Sequence, residues 1–328
     1  MKFIVVAKSI KDPATRYRVH PIVQRLRARG DIVIVFYEPG FVSQLRLIFM
    51  AATSDLLFIQ RKLMNSVIVW ILGRFSSHIV FDYDDAIFVK STGQVSSTRS
   101  ARYKAIVRAS QLVLAGNKYL SQAAAAEGAQ VANVPTSVDL RRYVNVKKYE
   151  ELMLVWIGSS STARYLEQEK EMLSALARRI PSVKLRVVGD FQFNVSGLDV
   201  ECVTWSEATE SQMLASSHIG IAPMWDDPWS RGKCSLKVIQ YMAAGLPVVT
   251  SKVGSNESVV IDGVTGFLVE TLEDWCAAIE KLGASANLRF EMGSAGRKVV
   301  EKRYNQETTA AMVVSLLDDV AAKKISTV

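Results

Sequence analysis

The stretch IGIAPMWDDPWSRGKCSLKVIQYMAAGLPVV, residues 219–249, predicts a strand, a loop, a helix, a tight turn and a second strand. Apolar residues at helical spacing after position 235 indicate the helix. Ser235 stands where an N-cap is expected, Gly245 stands where the helix should end, and Pro247 follows it. The stretch therefore predicts one βαβ unit of a parallel sheet.

The start of this helix is a candidate phosphate site. Backbone N–H groups at a helix N-terminus attract anions, and Arg231, Lys233 and Lys237 lie beside this one. A glycine and three serines at positions 158–161, between a predicted strand and a helix, form a second candidate cradle. By pattern alone, an ordinary βαβ unit with a solvated basic loop is the favoured explanation of the first pattern.

The second half of the opening stretch resembles the donor-binding segment of retaining glycosyltransferases of family four, the "glycosyl transferases group 1". That family usually carries E-G-F-G-x-x-x-x-E-A-M-A-x-G-x-P-V-V, and this chain carries G-K-C-S-L-K-V-I-Q-Y-M-A-A-G-L-P-V-V. The sequence of residues 253–269 is also similar to the corresponding sequence of the family. Gly232 and Gln240 replace the two family glutamates, of which the first usually contacts the donor sugar and the second the ribose. Gln240 retains the capacity to bind a ribose hydroxyl, and Gly232 has no side chain for the sugar.

The resemblance implies the GT-B fold, in which two Rossmann-like α/β domains face each other across a cleft. Residues 1–147 would bind the acceptor and residues 148–328 the donor, with the last helix crossing back onto the first domain. The implied activity is retaining transfer of a sugar from a nucleoside-diphosphate sugar to a glycan or lipid-linked acceptor, in polysaccharide biosynthesis. The alternative is a degenerate GT-B domain that binds a glycan, lipid or protein without turnover.

Site residues follow from the resemblance and from the basic loop. Those assigned to the donor are Gly158, Ser159, Ser160, Ser235, Leu236, Lys237 and Gln240. Those assigned to catalysis are Arg231, Lys233, Asp84 and Asp85, with Arg16 and Arg18 assigned to the acceptor. No side-chain nucleophile is required, because the positive charges would stabilise the departing diphosphate.

Three aspartates, Asp82, Asp84 and Asp85, end the predicted strand HIVFDYDD. Ligands bind at the carboxyl edge of open α/β sheets, so an acceptor or active-site contact is the first expectation. A helix cap is the second and a divalent metal the third. Since GT-B members generally need no metal, we expect no metal and no cofactor beyond the donor substrate.

Charge is distributed unevenly along the chain, whose net charge is +8. Residues 1–149 carry 22 Lys and Arg against 9 Asp and Glu, a net +13, and the remainder is therefore at −5. This asymmetry is compatible with an anionic membrane surface beside the first half, or with a merely solvated basic face. We expect a cytoplasmic protein, with peripheral attachment to the inner face of the membrane as a hypothesis.

Several other function classes fit poorly. The first strand lacks a following G-x-G-x-x-G, which argues against a nicotinamide or flavin cofactor. Nucleic-acid binding is not expected, because the basic helix from Arg16 to Arg29 offers only Tyr17 as an aromatic. Three histidines are too few for the acid–base set of a GT-B epimerase, and three isolated cysteines indicate a reducing compartment.

Overall fold

The computed structural model describes residues 1–38, 40–144 and 146–322. Their strands form two parallel sheets of six strands each, ordered β2-β1-β3-β4-β5-β6 and β12-β11-β10-β7-β8-β9. The first sheet contains β1 (Lys2–Ala7), β2 (Ile32–Tyr37), β3 (Leu56–Gln60), β4 (Ile79–Tyr83), β5 (Leu112–Ala115) and β6 (Val131–Asn133). The second contains β7 (Met153–Ile157), β8 (Lys184–Gly189), β9 (Asp199–Thr204), β10 (Ile219–Ala222), β11 (Val248–Ser251) and β12 (Gly266–Val269).

Helices connect most of the consecutive strands, as is usual for parallel sheets. They are α1 (His20–Ala28), α2 (Phe41–Ala52), α3 (Ser66–Phe75), α4 (Ser97–Ala109), α5 (Lys118–Ala125), α6 (Ser160–Gln168), α7 (Lys170–Arg179), α8 (Glu210–Ala215), α9 (Pro228–Arg231), α10 (Leu236–Ala243), α11 (Asn256–Val259), α12 (Leu272–Ala284), α13 (Ala286–Arg303) and α14 (Gln306–Ala321). A π-helical turn, Thr15–Val19, precedes α1, and a 3₁₀ turn, Leu140–Arg142, follows β6.

The chain divides into two compact units. Unit 1 contains Met1–Ser137, Asp227–Cys234 and the described part of Gln306–Val328, and unit 2 contains Val138–Asp226 and Ser235–Asn305. Val138, the first residue of unit 2, forms a bridge with Asn305 of the same unit. The segment Asp227–Cys234, predicted to lie in the donor domain, clusters with unit 1.

Unit 1 packs its sheet between two helical layers. Ile4 and Val6 face a core shared with α2 to α5, and the alternating Phe3 and Val5 face a core shared with α1 and α14. This alternation follows from the two-residue period of a strand. Leu317 of α14 is buried in the second of these cores.

Unit 2 has a large apolar core around β7, β8, β10 and β11, covered by α7 and α12. Trp156 of β7 is the largest fully buried side chain. Gly245 follows α10 with a φ of 71°, the left-handed conformation expected of the glycine that ends this helix. The predicted strand, helix, turn and strand of residues 219–249 are thus present, with a short additional helix, α9, in the loop.

Lowering the pH from about 6.5 to about 4 should destabilise unit 2 through His218. Its Nδ1 accepts the Met153 N–H at 3.1 Å, which requires a neutral ring. Burial, with smaller contributions from Arg289 and Lys148, lowers the pKa of His218 to about 4. The unfolded chain therefore takes up a proton near pH 6.5 that the folded protein accepts only near pH 4, so stability falls across this window.

We expect a loss of roughly 1–3 kcal/mol, allowing for the partial exposure of the ring. Urea unfolding between pH 4 and 7 measures it. His218→Asn is the matched variant, because its amide oxygen can accept the same N–H without titrating. Equal pH dependence of the variant and the wild type would show that another group is responsible.

Within the described ranges, the structure contains no helix that is both long and apolar enough to cross a bilayer.

Candidate active site

A buried ion pair lies at the carboxyl end of β4. The Arg18 Nε and Nη2 donate to the two carboxylate oxygens of Asp82 at 2.9 and 2.5 Å, and Nη1 donates to the Val134 carbonyl at 2.9 Å. Burial alone would lower the pKa of Arg18, but the Asp82 carboxylate outweighs it and raises the pKa. Only 5% of Arg18 is exposed. Arg18 is therefore held inside unit 1 by Asp82 and Val134, and its role at the acceptor stays a prediction.

Asp84 and Asp85 follow the same strand and meet two cations. The Arg61 Nη2 donates to Asp85 at 2.6 Å, and the Arg61 Nε lies 3.4 Å from an oxygen of Asp84. Lys233 Nζ lies 3.0 Å from Asp85 Oδ1. Burial raises the pKa of Asp84, while the charges of Arg61 and Arg18 oppose that rise. Sequence reasoning proposed Asp84, Asp85 and Lys233 independently, and the fold brings them together at one sheet edge.

Arg61 is a member of this cluster that the sequence analysis missed. It directly follows β3 and has a φ of 53°, an uncommon left-handed value for a residue with a side chain. Its backbone N–H donates to the Asp82 carbonyl at 2.8 Å. This backbone conformation accompanies the side-chain contacts that join Arg61 to both aspartates.

The segment Asp227–Cys234 is held against unit 1 by specific contacts. The side-chain amide of Asn117 donates to the carbonyls of Arg231 and Lys233 at 3.1 and 2.9 Å. Cys234 packs so closely on Gly116 that a Cβ at that glycine would lie 2.4 Å from the sulfur. These contacts place the basic residues Arg231 and Lys233 at the same edge as the aspartates.

Gly232 is in the tightest part of this contact. A Cβ built on it would lie 2.4 Å from the Ala86 Cβ and 2.6 Å from the Ala86 backbone nitrogen. Backbone atoms cannot give way as the tip of a flexible side chain can. The glutamate that the family usually carries at this position would therefore not fit. Its absence follows from the close packing of the segment.

Gly232→Glu should therefore loosen this segment instead of restoring a donor contact. We expect a loss of about 1–3 kcal/mol or more from overpacking, together with faster tryptic cleavage after Arg231 and Lys233. Urea unfolding and limited proteolysis measure the two effects. Gly40→Ala is the control, because the added methyl meets nothing within 4 Å. Wild-type stability and cleavage in Gly232→Glu would contradict this explanation.

In unit 2, a carboxylate occupies the predicted phosphate site at Gly158–Ser160. The Ser160 N–H donates to Asp190 Oδ1 at 3.1 Å, and Asp190 directly follows β8. The Ser159 hydroxyl bonds with Ser161 at 2.8 Å. An anionic ligand at this helix start would therefore have to displace or repel Asp190, which weakens the prediction of a phosphate site here.

The start of α10 is arranged differently. Ser235 occupies the N-cap position, but its hydroxyl makes no cap hydrogen bond. The hydroxyl instead donates to Asn256 Oδ1 at 2.6 Å and lies 2.5 Å from the Ser255 hydroxyl. The residue is in the left-handed region with a φ of 50°. The predicted capping role is thus corrected, and the helix start does not use the serine oxygen as an internal acceptor.

Lys237 adds a positive charge to this helix start. Its Nζ lies 4.1 Å from the centroid of the Trp156 indole, a cation–π distance. The indole in turn contacts Gly158, where an added Cβ would lie 2.4 Å from the ring. Gln240 is buried one turn further along α10, and Leu236 begins the helix. Lys237 and Gly158 are therefore joined through Trp156 within unit 2.

The remaining predicted acceptor residue, Arg16, donates to the Tyr17 hydroxyl at 2.6 Å and stacks on the same ring. Its role at the acceptor stays a prediction. Among the described residues, no group of three His, Cys, Asp or Glu side chains is arranged to hold a metal ion. Asp82, Asp84 and Asp85 instead contact Arg18, Arg61 and Lys233.

Asn117 and Asp190, like Arg61, were not assigned by the sequence analysis. All three polar residues lie at or just after the carboxyl end of a buried strand, respectively β5, β8 and β3. That position was itself a usable signal, because ligands of open α/β sheets bind at this edge.

The architecture is similar to that of solved structures. Sucrose-phosphate synthase from Thermosynechococcus elongatus superposes with a TM-score of 0.78 at 17% identity, covering 98% of this chain and 99% of that one. HepE from Anabaena, in a complex with UDP-glucose, superposes with a TM-score of 0.70 at 15% identity, covering 97% and 100%. The chain has the GT-B fold of glycosyltransferases, as the sequence predicted.

Residues 151–285 match the family "Glycosyl transferases group 1". This confirms, over most of unit 2, the resemblance stated from the sequence. Spore coat protein SA from Bacillus subtilis (strain 168) is 27% identical over 99 residues, which cover 29% of this chain and 24% of that protein. The chain thus matches about a quarter of the length of this curated relative.

Proposed function

We propose that the chain is a retaining glycosyltransferase that moves a sugar from a nucleoside-diphosphate sugar to a glycan or lipid-linked acceptor. The start of α10 carries this proposal. It lies in the segment that matches the glycosyltransferase family, and Lys237 adds positive charge to the helix dipole. The aligned backbone dipoles of a helix attract anions to its N-terminus, so this helix start is suited to a diphosphate.

The chemistry proposed for this site is stabilisation of the leaving group. Negative charge grows on the diphosphate as the bond to the sugar breaks, so nearby positive charge stabilises the transition state more than the ground state. Lys237 and the α10 amides would bind the diphosphate. Lys233 and Arg231, in the loop that precedes α10, would add further positive charge. Retention of configuration is supported by the family resemblance alone.

The acceptor is proposed to use the carboxyl edge of the unit 1 sheet. Asp84, whose pKa is raised by burial, and Asp85 lie there with Arg61. A carboxylate with a raised pKa is a suitable group to take a proton from an attacking hydroxyl near neutral pH. The glycan or lipid-linked class of acceptor rests on the family resemblance.

A thermal-shift screen of nucleoside diphosphates and their sugars tests the donor assignment. UDP and UDP-glucose come first, because HepE was solved with UDP-glucose. A ligand that binds only the folded protein raises the melting temperature by mass action. We expect stabilisation by one nucleotide family, unchanged by EDTA, and slow hydrolysis of that donor without acceptor. No stabilisation and no hydrolysis across uridine, guanosine, adenosine, cytidine and thymidine donors would contradict the proposal.

A further inference from the structure

Two neighbouring helices of unit 1 present large apolar side chains to solvent. On α2, Leu45 is 59% exposed and Phe49 is 73% exposed. On α3, Val67 is 62%, Trp70 is 68% and Phe75 is 58% exposed. We name these five residues the apolar face. Single exposed apolar residues are common, but a group on two adjacent helices marks an interaction surface.

The apolar face is distinct from the side of the same helices that faces the core. Leu47 and Ala51 of α2, and Val69 and Leu72 of α3, are buried in the core beneath the sheet. The helices also pack against each other. Leu45 and Phe49 are one helical turn apart, and the same holds for Val67 and Trp70. Both helices are therefore apolar on the inside and on the outside.

The charges around the apolar face are positive. Arg46 lies beside Leu45 and Phe49, Arg74 follows Trp70 by one turn, and both arginines are exposed. Between positions 40 and 81, Asp55 is the sole acidic residue. Its carboxylate accepts the Lys2 N–H at 2.7 Å. An anionic surface would thus meet both apolar side chains and cations here.

The basic helix α1, by contrast, uses much of its charge internally. Arg29 donates to both carboxylate oxygens of Asp318 at 2.5 and 2.9 Å, and Arg27 donates to the Val33 carbonyl at 3.1 Å. The positive surplus of the first half therefore does not identify α1 as the contact surface. The apolar face differs from α1, because its exposed aromatic and aliphatic side chains lie beside arginines.

We propose that unit 1 attaches to an anionic phospholipid bilayer through the apolar face of α2 and α3. Tryptophan and phenylalanine bind at the boundary of headgroups and acyl chains, and arginine binds lipid phosphates. Each basic residue near an anionic leaflet strengthens binding by about five-fold. This attachment is independent of the proposed transfer reaction.

Co-sedimentation with phosphatidylcholine vesicles containing about one third phosphatidylglycerol tests the proposal. We expect the full chain to bind these vesicles and to bind pure phosphatidylcholine vesicles much more weakly. High salt should release part of the bound protein from the anionic vesicles. The double variant Phe49→Ser/Trp70→Ser should bind at least ten-fold more weakly. Arg46→Ala and Arg74→Ala should each lower binding to anionic vesicles about five-fold, with little effect on neutral vesicles.

Phe290→Ser is the matched control, because Phe290 is also 73% exposed but lies on α13 in unit 2. It should bind as the wild type does. Melting temperatures of all variants should be unchanged, since the substituted side chains are exposed. Absence of binding, or equal loss in Phe290→Ser and the double variant, would overturn the proposal. Light scattering that shows a dimer abolished by Phe49→Ser/Trp70→Ser, without vesicle binding, would assign the face to a second copy and also overturn it.

Discussion

Replacing Lys233 by alanine should lower kcat at least ten-fold, with a smaller change in KM for the donor. The side chain lies 3.0 Å from Asp85 Oδ1 and 4.2 Å from the centroid of the Trp229 ring. A cation so placed adds charge stabilisation that is greatest when the diphosphate departs. Its loss should therefore act on the transition state more than on donor binding.

Steady-state kinetics with a saturating donor measure this effect. Lys252→Ala is the control, because Lys252 is an exposed lysine whose Nζ pairs with Glu270 at 3.1 Å. It should leave kcat unchanged. Asp85→Asn separates the two roles of Lys233, since it removes the ion pair and keeps the cation. If Asp85→Asn keeps its turnover while Lys233→Ala loses it, the effect belongs to the charge of Lys233 and not to the ion pair. Unchanged turnover in Lys233→Ala would remove Lys233 from catalysis.

Replacing Asp82 by alanine should lower the free energy of unfolding by about 3–5 kcal/mol. The substitution leaves the guanidinium of Arg18 buried without its ion-pair partner, and 2% of Asp82 and 5% of Arg18 are exposed. An isolated charge in such surroundings keeps its desolvation cost and loses the attraction that offset it.

Urea unfolding of the single variants and of Asp82→Leu/Arg18→Met measures the coupling between the two residues. The double variant should be closer to the wild type than Asp82→Ala is, because apolar side chains of similar size remove both buried charges together. Separate transitions for the two units would be analysed individually. A loss below about 1 kcal/mol in Asp82→Ala would show that the pair contributes little to folding.

Local sequence patterns predicted most of the fold. The strand KFIVVA, the helix that buries Ile22 and Leu26, and the strand–helix–strand of residues 219–249 all follow from residue spacing. Each signal is contained within a short segment, since a buried strand needs a run of apolar residues and a helix needs its period. Gly245 could be predicted to end α10, because few other residues adopt a positive φ at low energetic cost.

Sequence patterns were less informative about which polar groups contact each other. Arg18 was expected to face an acceptor, but its partner Asp82 is 64 residues away in the sequence. Ser160 was expected to donate to phosphate, and its N–H donates to Asp190, 30 residues away. Neither partner can be identified by spacing, because nothing in a local window fixes which strand ends become neighbours.

Local residue patterns were thus enough to predict the succession of strands and helices, the glycine that ends α10, and the family to which residues 232–249 are similar. These depend on backbone preference and on apolar periodicity over a few residues. Three features became visible only in the folded chain: Asp227–Cys234 packs within unit 1, Gly232 has no room for a side chain, and Arg61 contacts Asp84 and Asp85. These depend on close contact between segments far apart in the chain, where space and the pairing of buried charges determine the outcome.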